Sequence, residues 1–130
     1  MSYFVTGATG FIGRHLLQNL VKRPGKIYAL VRKGSAARLD ALIESLDVEK
    51  GRIIPVIGDL TKPKLGLTPA TIKTLSGKIK HFFHLAAIYD VTADEASNVR
   101  VNVEGTRHAI QLAEAIKAGC FQHTSSIAAA

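Results

Sequence analysis

The sequence predicts an α/β fold: a doubly wound parallel sheet with strand order 3-2-1-4-5, ending after strand five. Three observations carry that prediction. Short apolar runs alternate with segments of helical spacing along the whole chain, so parallel pairing through right-handed crossovers is expected. The first apolar run opens into Gly7, Gly10 and Gly13, a glycine-rich turn between a strand and a helix. The third run contains Pro55, which has no N–H to give to a sheet ladder and therefore belongs at an edge.

Taken in order, residues 3–5 (Tyr-Phe-Val) form the first strand, bounded by Thr6 and Gly7. Phe11, Ile12, Leu16, Leu17, Leu20 and Val21 keep helical spacing until Arg23-Pro24-Gly25 stops them. Residues 26–31 make the second strand. Ser35 is placed to cap a helix whose Leu39, Leu42, Ile43 and Leu46 share one face. Residues 52–60, with Pro55 inside, are the third strand. Thr68 and Pro69 read as the N-cap and first position of a short helix that reaches Leu75 and is closed by Gly77. Residues 81–87 form strand four, residues 99–118 a long helix, and residues 120–125 strand five. A complete sheet of this kind carries at least one further strand.

The 130 residues suit one domain, 1–130, able to hide about two thirds of the unfolded chain's surface. Hydrophobic residues at 47% and the lack of any internal repeat exclude a disordered or fibrous chain. The formal charge of +7 raises polyanionic partners. Basic residues, however, are scattered singly or in pairs without an aromatic-interleaved stripe, so a solvated surface is expected and nucleic acid is not. A single cysteine, Cys120, excludes an internal disulfide and suits a reducing compartment. No stretch approaches the roughly 20 apolar residues of a membrane span and no secretory signal is visible, so a cytoplasmic protein without an integral membrane segment is expected.

The glycines have separate tasks in a strand-turn-helix unit. Gly7 permits the tight turn, Gly10 lets backbone N–H groups approach a pyrophosphate, and Gly13 lets the helix pack closely on the strand. The helix N-terminus then presents unpaired donors and partial positive charge to the phosphates. An acidic residue at the end of strand two would accept from a ribose 2′-hydroxyl. Arg32 and Lys33 stand there instead and would attract a 2′-phosphate, which favours NADP(H) over NAD(H); Arg38, one helical turn on, is placed to help. The alternative is that Arg32 and Lys33 are solvated loop charges. No metal site is expected, because His81 and His84 point to opposite faces of a strand and no Cys/His pair has zinc-ligand spacing. His84 reads as a packing residue, and His15 and His108 lie on helices. Tyr89 and Asp90 follow strand four, where a turn role for Asp90 competes with a ligand contact.

Together, "TGATGFIG" (6–13), "GDL" (58–60), "HLAA" (84–87), "NVEGT" (102–106) and "TSS" (124–126) resemble the extended short-chain dehydrogenase/reductases, whose cofactor domain is a Rossmann fold. "LVR" (30–32), "HLAAIYD" (84–90) and "HTSSIAAA" (123–130) are most similar to the fatty acyl-CoA reductase branch, itself related to thioester-reductase domains. The resemblance implies that Gly7, Thr9, Gly10, Phe11, Ile12 and Gly13 form the cofactor-binding turn and that Asp59 and Leu60 lie against the adenine. It further implies that Ala86 and Ala87 line the cofactor beyond strand four and that Asn102 steadies the helix and the proton-relay region. Ser126 would be the catalytic serine, with Ser125 as second choice; without the resemblance, Thr124–Ser126 also reads as a hydroxyl cluster satisfying backbone groups.

The implied chemistry is hydride reduction of a fatty acyl thioester to aldehyde or alcohol, with Ser126 stabilising the developing oxyanion. The family's Tyr-x-x-x-Lys pair should follow that serine by a few tens of residues. Tyr3, Tyr28 and Tyr89 are the tyrosines here, and none has a lysine four positions on. The chain is therefore expected to be the amino-terminal part of a longer reductase, inactive alone, meeting its small-molecule acyl thioester only in the full-length protein. An exposed fifth strand is expected to favour a homo-oligomer. Two alternatives stand beside this reading: an extended relative of the nucleotide-sugar epimerase or dehydrogenase type, and a non-catalytic NADP-sensing module.

Overall fold

The computed structural model describes residues 2–8, 11–46, 48, 51–85 and 94–123. Strands and helices alternate as β1 (Ser2–Thr6), α1 (Phe11–Leu20), β2 (Ile27–Val31), α2 (Ala36–Ser45), β3 (Ile53–Ile57), α3 (Pro69–Leu75), β4 (Ile79–His84), α4 (Glu95–Ala115) and β5 (Cys120–His123). All pairings are parallel, in the order β3-β2-β1-β4-β5. The expected doubly wound sheet is thus what forms. Pro55 sits exposed on the edge strand β3, where its missing N–H breaks no ladder.

Successive residues of a strand face opposite sides, and here both sides are covered. Tyr3 and Val5 join Leu17, Ile27, Ala29 and Leu39 in the core beneath α1 and α2. Phe4 turns the other way and joins Phe82, Leu65, Leu112 and Ile116 in the core beneath α4. Burial on both faces is why β1, β2 and β3 read as apolar runs rather than as alternating patterns. Among the described residues, no helix is long and apolar enough to cross a membrane.

The helix ends follow local chemistry. Thr68 accepts from the Thr71 N–H through its hydroxyl oxygen at 3.3 Å, and Pro69 occupies the first helical position, as the sequence indicates. α2 begins at Ala36, directly after Ser35. A tight 3-10 turn over Lys33–Ser35 starts the helical run earlier, with Arg32 in the extended N-cap position, because the chain must fold back over the sheet directly after β2. α4 spans Glu95–Ala115 rather than 99–118. Its first residues are polar and contribute no apolar periodicity, and Lys117 takes the left-handed position (φ 54°) that ends it, the Ala118 N–H turning back to the Ala113 carbonyl. The outer ends expected for strands four and five, residues 85–87 and 124–125, extend past β4 and β5; of these, 86–87 and 124–125 lie outside the described residues.

Between β3 and α3, Lys64 and Leu65 adopt φ values of 54° and 58°. Left-handed backbone costs about 1–2 kcal/mol per non-glycine residue. Complete burial of the Leu65 side chain, at about 1.5–3 kcal/mol, offsets that cost and holds the turn against α4.

Phe82 is fully buried and stacks on Phe4 with centroids 4.7 Å apart and on Phe121 at 5.3 Å. Phe82→Ala is expected to lower the unfolding free energy by about 3–5 kcal/mol. A urea titration followed by circular dichroism checks this; a midpoint unchanged from that of the parent chain contradicts the packing described.

Candidate functional site

Parallel register brings the carboxyl ends of the strands into one line. Thr6 is opposite both Leu30 and His84, His84 is opposite His123, and Val31 is opposite Ile57. The residues that follow therefore emerge side by side: Gly7 from β1, Arg32 and Lys33 from β2, Gly58 and Asp59 from β3, and Leu85 from β4. The sheet order reverses between β1 and β4, and a crevice opens at such a point.

Gly7 leaves β1 with φ 73°, a left-handed turn that suits glycine. Gly13 is buried in α1, and a Cβ there would fall inside the Gly7 carbonyl oxygen and 2.8 Å from the Ala8 Cα. The first turn of α1 is thus pressed against the strand-to-helix turn, with no acidic residue in it to compete for an anion. Ile12 is exposed on that turn. Thr9 and Gly10 lie outside the described residues, as do Ala86, Ala87, Tyr89, Asp90, Ser125 and Ser126; Phe11 is placed by its backbone only.

A hydrogen-bonded clasp underlies this turn. The buried Thr6 hydroxyl lies 2.8 Å from His84 Nδ1 and accepts from the Leu85 N–H at 3.1 Å. His84 Nε2 meets the Thr106 hydroxyl of α4 at 3.3 Å. The ring stacks on His123 at 5.2 Å. Burial, with His123 alongside, pushes His84 down to about 4, so it is neutral at physiological pH. β1, β4 and α4 are thereby tied together at one buried ring, the packing role that the sequence indicates for His84.

On the β3 side, Asp59 accepts at one carboxylate oxygen from the Thr61 hydroxyl (2.7 Å) and N–H (2.9 Å). These bonds, with Lys62 and Arg32 nearby, hold its carboxyl below the usual range despite partial desolvation. Leu60 is half-buried against Gly105, and its carbonyl accepts from His108 Nδ1–H at 2.7 Å. Its side chain therefore packs toward α4. Asn102 is half-buried on the same helix.

The structure adds a residue that sequence reasoning missed. Arg14, in the first turn of α1, and Arg38, in the first turn of α2, line one hollow of about 370 Å³ with Leu42 and Ser45. A cation at a helix N-terminus opposes the macrodipole, and that anomaly was the available signal for an anion site. Arg32 and Lys33 are exposed at the adjacent end of β2. A glycine cradle that a Cβ would fill, an acid-free helix start and arginines from three segments fit a phosphorylated dinucleotide.

Residues 5–130 match an NAD-binding family described as male sterility protein. The chain belongs to that family. A Drosophila melanogaster member of similar sequence, named as a fatty acyl-CoA reductase, is 31% identical over 127 residues, covering 88% of this chain and 23% of its own length. The chain superposes on the terminal R domain from the myxalamid PKS-NRPS biosynthetic pathway with a TM-score of 0.78 at 31% identity, over 99% of this chain and 35% of the other. Gre2 from Candida albicans, solved in complex with NADPH, gives a TM-score of 0.76 at 26% identity, over 99% of this chain and 38% of its own. The first curated relatives are 3% to 25% covered by this chain. These matches agree with the expected extended short-chain reductase of the fatty acyl-CoA reductase branch.

The clasp sets a pH dependence. Unfolded His84 titrates near 6.5 and folded His84 near 4, so its contribution is complete above about pH 6.5 and is lost as pH falls toward 4. The loss is expected to approach about 3 kcal/mol. Urea midpoints measured between these pH values should fall in the parent chain and fall less in His84→Gln; parallel profiles contradict the assignment.

Proposed function

We propose that residues 1–130 form a single dinucleotide-binding domain, the NADP(H)-binding amino-terminal part of a reductase that acts on a fatty acyl thioester. What supports this reading is the left-handed turn at Gly7, the close approach at Gly13, the hollow shared by Arg14 and Arg38, and the exposed Arg32 directly after β2. In this reading the α1 N-terminus holds the pyrophosphate. Arg32, Lys33, Arg14 and Arg38 surround the 2′-phosphate, and guanidinium forks suit its geometry. Asp59 stays ionised beside the adenine while Leu60 backs that wall from the α4 side.

NADPH supplies the hydride when bound. This chain's residues bind and orient: the Thr6–His84–Thr106 clasp fixes the height of the glycine turn relative to strand four, where the nicotinamide end would lie past Ala86 and Ala87. Ser126 is assigned to the developing oxyanion, and its role rests on the family resemblance. The sequence contains no Tyr-x-x-x-Lys, so the 130-residue chain is proposed to bind cofactor without turning over substrate. A cytoplasmic location is proposed, supported by the lone, exposed Cys120. The unpaired edge of β5 among the described residues supports self-association by strand pairing.

Calorimetry with NADPH and NADH tests the cofactor assignment. NADPH is expected to bind at least about tenfold more tightly, and Arg14→Ala or Arg32→Ala to remove about 1.5–3 kcal/mol of NADPH binding while leaving NADH nearly unchanged. Equal affinity for both cofactors, or equal losses in the variants, overturns the 2′-phosphate site.

A further inference from the structure

Folding gathers at the other end of the sheet what the sequence scatters. Lys26, Lys78, Lys80 and Lys117 line one groove of about 710 Å³ with Tyr28 and Ser2, at the amino ends of the strands and away from the glycine turn. Lys26 precedes β2, Lys78 precedes β4, Lys80 lies within it, and Lys117 precedes β5. All four are exposed. No carboxylate lines the groove, and among the described residues the ion pair present is Arg107–Glu104 on α4, so none of the four is paired there. Arg52, which precedes β3 at the same end, is instead occupied by the carbonyls of Val21, Arg23 and Gly25.

The spacing of the charges states what would fit. The groove crosses the strand order β2-β1-β4-β5, three interstrand steps of about 4.8 Å, or about 14 Å. That span is too long for one phosphate and equals about four residues of extended chain or nine of helix. Backbone N–H groups at this end are already used: Ser2 donates to Lys78, Tyr3 to Lys26, Gly77 to Ile116 and Gly119 to Ile79. The groove therefore offers neither an amide nest nor an arginine fork, the usual means of fixing a phosphate. Lysines are flexible point charges that tolerate carboxylates at varied positions. Tyr28 alone gives no stacking platform for nucleic acid, and the apolar lining residue Ile79 is buried and cannot anchor in lipid.

We propose that this groove docks an acidic polypeptide segment, with carboxylates spaced along about 14 Å, at the end of the sheet opposite the cofactor. The proposal does not depend on the cofactor assignment.

A fluorescent peptide of about ten residues alternating glutamate and alanine, with a glutamine-alanine control, tests it by anisotropy on the 130-residue chain. The glutamate peptide is expected to bind, more weakly as salt rises from about 0.05 to 0.3 M, and to bind equally with NADPH at saturation. Lys78→Glu with Lys117→Glu should weaken it at least about tenfold, and Lys26→Gln with Lys80→Gln by less, with thermal midpoints near the parent's showing both variants folded. Equal binding of both peptides, binding unchanged in the variants, displacement by NADPH, or a short RNA that binds more tightly and loses its affinity in the same variants overturns the proposal.

Discussion

The fold depends on an approach that admits no side chain. At Gly13 a single added carbon would clash with the Gly7 carbonyl oxygen and the Ala8 backbone, so α1 can lie against the end of β1 only because that carbon is absent. The left-handed turn at Gly7 sends the chain directly from strand to helix. Together they fix where the helix N-terminus points, and a dipole is useful for binding only when its end is held at a set distance from the ligand.

The clasp at His84 maintains the same geometry from below. A neutral imidazole bridges the buried Thr6 hydroxyl and the half-buried Thr106 hydroxyl. Phenylalanine could fill the space, but it would leave the Thr6 and Thr106 hydroxyls without this partner. The polar ring thus joins strand ends to helix α4 without burying a charge. A protonated ring there would be desolvated beside His123, which is why the neutral form is held.

Much of this was legible from residue order. Pro55 alone placed strand three at an edge, and with the alternation of elements that fixed the strand order. The glycine spacing located the turn at Gly7 and the close approach at Gly13. What was not legible depended on contacts between distant segments. Arg14 reads as an ordinary helix residue until α2 brings Arg38 to the same hollow. The end of α4 was misplaced because Lys117 adopts a backbone conformation usually marked by glycine, and Gly119, two residues later, is instead needed for close approach to the Lys80 carbonyl. Leu65 in a left-handed turn has no local signature at all, since its burial under α4 is what sustains it.

Charge is the clearest case of information created by folding. Along the chain the excess of basic residues looks diffuse, yet folding gathers part of it at each end of the sheet. At the carboxyl edge, Arg14 and Arg38 share one hollow on α1 and α2, with Arg32 and Lys33 exposed after β2. At the amino edge stand lysines just before or early in the strands, spread over three interstrand steps, with neighbouring backbone donors already committed. The first arrangement rewards a ligand of fixed geometry and the second a ligand of extended charge. A parallel sheet produces this separation readily, because all its strands start on one side and finish on the other, so residues before strands and residues after them can never mix.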